Sequence, residues 1–102
     1  MNDAYMESLG KILRARRREA GLSISLLGRI ADVDRLTIRH IEQGEGNPSA
    51  NTQLKLCLAL GISFADVVVD CERSLRNTMY DAESAESQRA PESTVKYFLT
   101  KL

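Results

Sequence analysis

The chain is 102 residues long and 43% hydrophobic, which is material for one compact core and speaks against a second full domain. With 5% aromatic residues and no tryptophan, it lacks the rings for a sugar-binding or base-stacking platform. Its 14 basic residues balance 14 acidic ones, and a net charge of zero taken alone argues against nucleic-acid binding, where phosphate contacts supply most of the affinity.

The placement of those charges matters more than their sum. Lys11, Arg14, Arg16, Arg17 and Arg18 cluster near the start, while Asp81, Glu83, Glu86 and Glu92 gather toward the end, so a neutral total can hold a basic face and an acidic appendage. Cys57 and Cys71 have neither metal-ligand nor C-x-x-C spacing, and His40 completes no usual zinc pattern with them. Both thiols are expected in the core, with no metal and no cofactor. The N-terminus has no charged start followed by an apolar run, and no apolar stretch approaches the ~20 residues that span a bilayer. The expected setting is a reducing cytoplasm, with no membrane contact.

Along the chain, residues 5–20 place Leu9, Ile12 and Leu13 at helical spacing before Gly21, which suits the left-handed residue that ends a helix. Ser23 can cap a second helix running to about Ala31, and Asp34 a third over about residues 34–42, with Val33 and Ile38 flanking the cap as a hydrophobic staple. The cluster Q-G-E-G-N-P at 43–48 is loop, and Pro48 drives Asn47 toward an extended conformation. Ser49 can cap a fourth helix, whose buried face reads as Leu54, Cys57 and Leu58, closed by Gly61.

Ser63 and Asp66 make the Asp variant of a capping box for a fifth helix. There Phe64, Val67, Val68, Cys71, Leu75 and Met79 continue one apolar stripe past the point where a small bundle needs it, and such a stripe seeks a partner. The β-branched run Val67-Val68-Val69 leaves open an end near residue 69. From Asp81 to Ser93 the composition is polar, acidic and aperiodic, which reads as a linker. Val95, Tyr97 and Leu99 then alternate as in a short strand or docking segment.

The most informative stretch is S-I-S-L-L-G-R-I-A-D-V-D-R-L-T-I-R-H-I-E-Q-G at 23–44, two short helices joined by a tight turn. If Ile38 and Ile41 face inward, the rotation of about 100° per residue turns Arg35, Leu36, Arg39 and His40 outward on one continuous face. Arginine can donate two bonds to guanine in a major groove and leucine can contact a thymine methyl, so this face suits double-stranded DNA.

Residues 9–69 resemble the lambda-repressor/Cro-like helix-turn-helix family, also called the XRE family. The likeness rests on Leu9, Leu13 and Arg14, on Leu22-Ser23, and on Leu27, Ala31 and Val33 around the turn. Thr37-Ile38, Ile41-Glu42, Gly44, Asn47-Pro48 and Leu60-Gly61-Ile62 complete it. The resemblance implies that the third helix is the recognition helix, with Arg35, Leu36, Arg39 and His40 toward base edges and Thr37, Gln43 and Asn47 near the sugar-phosphate backbone. It also implies that Glu42 pairs with an arginine of the first helix, Arg14 or Arg18. Three features depart from the family pattern. Ile24 stands where a phosphate-reaching Gln is common, Asp32 stands where Gly is common, and Leu26 with Ile30 forms an apolar pair at positions that are usually polar.

The sequence thus predicts an all-α, five-helix lambda-repressor-like DNA-binding domain over residues 1–69, with a C-terminal extension over 70–102 for dimerisation or partner binding. The expected function is a sequence-specific transcriptional regulator, a repressor acting as a homodimer on an inverted-repeat operator, with no enzymatic activity. Val68, Cys71, Leu75 and Met79, together with Leu26 and Ile30, are the expected dimer or partner contacts. Two alternatives stand beside it: an antitoxin that represses its own operon and grips a toxin, and a protein-interaction adaptor on the same scaffold that no longer binds DNA.

Overall fold

In the computed structural model, which describes residues 3–85, five helices follow one another: α1 (Ala4–Glu19), α2 (Ile24–Ala31), α3 (Arg35–Glu42), α4 (Ala50–Leu60) and α5 (Phe64–Ala85). A short polar side chain sets each start. Asp3 accepts from Tyr5 and Met6 N–H, Ser23 from Leu26, Asp34 from Leu36, Ser49 from Thr52 and Ser63 from Asp66. Each such bond satisfies a donor that the helix itself cannot, so the polar punctuation of the sequence fixes the helix boundaries.

The core gathers Met6, Leu9 and Leu13 of α1, Leu27 and Ala31 of α2, Ile38 and Ile41 of α3, Leu56 and Cys57 of α4, and Val67 and Cys71 of α5. α1 is the hub of the bundle, packing on α3, α4 and α5, while α2 packs on α3 and α4.

The face that α4 buries differs from the sequence expectation. Leu54 and Leu58 are 40% and 69% exposed, and the buried positions are Gln53, Leu56 and Cys57. Gln53 can lie inside because its amide is satisfied there. Tyr5 donates its hydroxyl hydrogen to the Gln53 Oε1, and the Gln53 Nε2 donates to the Pro48 carbonyl at 3.1 Å. With both ends of the amide partnered, the desolvation penalty that usually keeps glutamine outside is offset.

α5 continues through Val67-Val68-Val69 without a break and reaches Ala85, so Asp81–Ala85 are helix where the sequence reads as linker. Alanine and glutamate in that stretch are good helix formers. As far as Thr78, α5 is also supported by α1: the Ser74 hydroxyl donates to the Ser8 hydroxyl at 3.2 Å, and Ser74 and Thr78 share a groove with Ser8, Lys11 and Ile12. Cys71 is fully buried in the core, so it is not an outward-facing contact as expected, while Leu75 and Met79 are half-buried. Burial pushes both the Cys57 and Cys71 thiols above their ordinary range. The expected docking segment around Val95, Tyr97 and Leu99 lies outside the described residues.

α1 approaches α3 closely because residue 10 is glycine. A Cβ at Gly10 would collide with the Ile41 carbonyl oxygen and press on the Glu42 backbone, atoms that cannot swing aside as a side-chain tip would. Gly10→Ala is therefore expected to lower stability by about 1–3 kcal/mol despite alanine's better helix propensity. Chemical denaturation of the variant against the parent chain checks this, and an unchanged midpoint would show that the two helices can separate at no cost.

Candidate nucleic-acid interface

α3 is divided lengthwise. Ile38 and Ile41 are each 1% exposed and point into the bundle, while Arg35, Leu36, Arg39 and His40 are exposed on the opposite side and Thr37 is half-buried. The turn leading into α3 places Asp32 in the left-handed region at φ 56, a conformation that aspartate tolerates better than most residues. The Val33 N–H then donates to the Gly28 carbonyl at 2.9 Å, and the chain passes so close to α2 that a Cβ on Gly28 would sit 2.7 Å from the Val33 oxygen. The tightness of the turn comes from these contacts, and the direction of α3 follows from it.

The far end of α3 is fixed by an ion pair. Arg17 Nε donates to Glu42 Oε2 at 2.7 Å and Arg17 Nη2 to Oε1 at 2.8 Å, a bidentate bond, while Nη1 donates to the Leu22 carbonyl at 2.7 Å. The two side chains are only 11% and 6% exposed. Hydrogen bonding to Glu42 holds Arg17 above its ordinary range and outweighs the opposite effect of burial. The partner of Glu42 is thus Arg17, not the Arg14 or Arg18 expected from the sequence. Periodicity carried the signal, since Arg17 lies four residues after Leu13 and seven after Gly10, on the face of α1 that meets α3.

The expected DNA-facing residues other than the exposed Leu36 fall around three surface clefts. Arg35 lines one with Ser25, Arg29, Asp32 and Asp34. Thr37, His40 and Asn47 meet in a second, beside Gly46 and Pro48. Arg39 and Gln43 reach a third, shared with the second half of α1. Of the apolar residues expected to meet a partner, Ile30 is 53% exposed and Leu26 only half-buried, while Val68 is 37% exposed.

Two short helices joined through a left-handed residue, the second showing a polar and cationic face to solvent, define a helix-turn-helix module. A family model described as Helix-turn-helix matches residues 13–67, more than half of the chain. The chain belongs to the lambda-repressor/Cro-like helix-turn-helix family. Two solved structures of the clp gene regulator ClgR from Corynebacterium glutamicum are similar to it. One has 28% sequence identity and a TM-score of 0.64, covering 72% of this chain and 95% of its own. The other has 26% identity and a TM-score of 0.65, covering 90% and 100%. No curated protein matches the chain. Among the described residues no helix is long and apolar enough to cross a membrane.

Removing one partner of the pair behind α3 leaves the other charge stranded in a nearly dry site. Glu42→Ala should cost about 3–5 kcal/mol, read as a lower urea midpoint with an unchanged slope. A loss below ~1 kcal/mol would place the pair among ordinary surface ion pairs.

Proposed function

We propose that this protein is a sequence-specific transcriptional regulator that lays α3 in the major groove and represses by occupying promoter DNA, performing no chemistry. The single observation that carries the reading is the division of α3, with Ile38 and Ile41 committed to the core and Arg35, Leu36, Arg39 and His40 left to solvent. Arg35 and Arg39 are one turn apart, so their guanidinium groups can address neighbouring base pairs. Each good bidentate contact discriminates by about 1–3 kcal/mol. Thr37, Gln43 and Asn47 stand at the edges of that face, where a helix in the groove has the sugar-phosphate strands beside it. The similarity to ClgR, a gene regulator by its description, supports the same reading.

One α3 reads too few base pairs for a unique address. A homodimer with two-fold symmetry on an inverted repeat supplies the second half-site, about 34–36 Å away on the same face of the duplex. Residues of α5 and the extension over 70–102 are the surface assigned to that contact, with Val68, Leu75 and Met79 in it and the buried Cys71 left out. A protein partner is the second reading, favoured by the 53% exposure of Ile30.

Arg35→Ala is expected to weaken binding to a duplex selected by the parent protein by about 1–3 kcal/mol and to relax preference at one base position. Competition assays with single-base variants of that duplex test it, and an unchanged preference would remove α3 from base readout. For the dimer, Val68→Asp is a cleaner probe than a change at half-buried Leu75, because Val68 is exposed on the free chain. It should shift sedimentation equilibrium toward the monomer. A parent protein that is monomeric at every concentration would refute the homodimer.

A further inference from the structure

Gln53 is a polar side chain on the face that α4 turns to the core, 7% exposed beside the buried Leu56 and Cys57. An apolar side chain of similar size would fill that volume without the desolvation penalty of an amide. What the amide adds is direction. Its Nε2 donates to the Pro48 carbonyl at 3.1 Å, and its Oε1 accepts from the Tyr5 hydroxyl. The order of protons along this relay is forced, because a carbonyl only accepts: the amide turns its nitrogen to Pro48 and its oxygen to Tyr5, which leaves the phenol as donor. Burial pushes the Tyr5 hydroxyl above its ordinary range, so it keeps the proton it donates.

The loop at the receiving end joins α3 to α4. Gly44 and Gly46 take left-handed conformations there, at φ 77 and 85, and two glycines so close together raise the entropy lost in fixing the chain. The first half of the loop is anchored to α3, with the Gly44 N–H on the Ile41 carbonyl at 2.9 Å and the Glu45 N–H on the His40 carbonyl at 2.8 Å. The second half is not. Among the described residues, Gly46, Asn47 and Pro48 make one hydrogen bond to the rest of the chain, the one from Gln53. Yet these residues border the outer face of α3. Thr37, His40 and Asn47 share a cleft of about 200 Å³ with Gly46 and Pro48, and a Cβ on Gly46 would lie 3.9 Å from that of His40.

We propose that Tyr5 and Gln53 are positioning residues for duplex binding: by gripping the Pro48 carbonyl, their relay holds Asn47 at the edge of α3, in place to meet the sugar-phosphate strand. The inference rests on the DNA-binding reading and extends it to two side chains that touch no DNA. Pro48 tightens the coupling, because its ring fixes its own φ and restricts Asn47 before it, so few free torsions separate the gripped carbonyl from the Asn47 side chain. A loop already ordered has less entropy to lose when the duplex arrives. The relay therefore acts on affinity and leaves base preference alone.

The test measures fold, loop order and DNA affinity separately in the full chain. Gln53→Met and Tyr5→Phe nearly conserve side-chain volume, and urea denaturation shows that each variant is folded. The double variant is the safeguard, since it removes both members of the Tyr5–Gln53 bond together. Each single variant should bind a parent-selected duplex about 3–10-fold more weakly, the equivalent of one net hydrogen bond. Each should keep the parent's base preferences and lower the NMR order parameters of the Gly46 and Asn47 amides in the free protein. In an Asn47→Ala background, itself weaker than the parent, Gln53→Met should add almost no further loss, whereas a merely structural role would give additive losses. Parent-like affinity and loop order in either single variant, additive losses, or an Asn47→Ala variant that binds as the parent does would each overturn the relay alone, with Arg35→Ala still relaxing base preference. A parent protein that binds no duplex at low salt would overturn the DNA-binding reading and this inference with it.

Discussion

The Arg17–Glu42 pair is the constraint on which the presentation of α3 depends. A short helix of eight residues has little stability of its own, and its orientation must come from what it rests on. Ile38 and Ile41 supply adhesion, but apolar contacts are non-directional and would tolerate rotation about the helix axis. The bidentate bond does not tolerate it. Planar guanidinium and planar carboxylate meet in one geometry, and the third bond, to the Leu22 carbonyl, ties the same arginine to the segment that begins α2. One side chain of α1 therefore indexes both helices of the module. Replacing such a pair by apolar residues of similar volume is often neutral in stability, so what it provides here is angular definition.

Gly10 and the α2–α3 turn serve the same end by other means. The absent side chain at residue 10 lets the backbone of α3 close onto α1, and Gly28 lets the turn pass over α2. Both are backbone approaches, and both leave the outer face of α3 free of supporting structure. That face can then be varied in chemistry without disturbing the interior.

Helix number, the caps of α2 to α5 and the outward direction of Arg35, Leu36, Arg39 and His40 were legible in the sequence, because each depends on local chemistry or on the period of one helix, while the Asp3 cap of α1 was missed. What else was not legible depended on a partner far along the chain. The face of α4 was misread because Leu54 and Leu58 look like core and Gln53 does not, and only the nearness of Tyr5 and Pro48 makes the glutamine an interior residue. The length of α5 could not be judged while its neighbour was unknown, since the side of α1 carrying Ser8 and Ile12 is what accompanies it. Arg17 is a different case. Its spacing from Leu13 and Gly10 puts it on the face of α1 that meets α3, whereas the family resemblance points only to an arginine of the first helix, Arg14 or Arg18.

Cys57 and Cys71 carry a consequence for the chemistry of the molecule as a whole. Both sulfurs lie in the closed interior with their ionisation disfavoured by burial, and the thiolate is the form that reacts with oxidants, electrophiles and soft metals. While the bundle is intact, reaction at either sulfur is disfavoured. The same burial favours the protonated thiols of the folded chain over those of the unfolded one. That advantage is complete below the ordinary thiol range near 8.5 and drains away as alkali rises through the elevated values. Strong base therefore loosens the bundle from its centre, at sulfur, before it reaches any guanidinium on the surface.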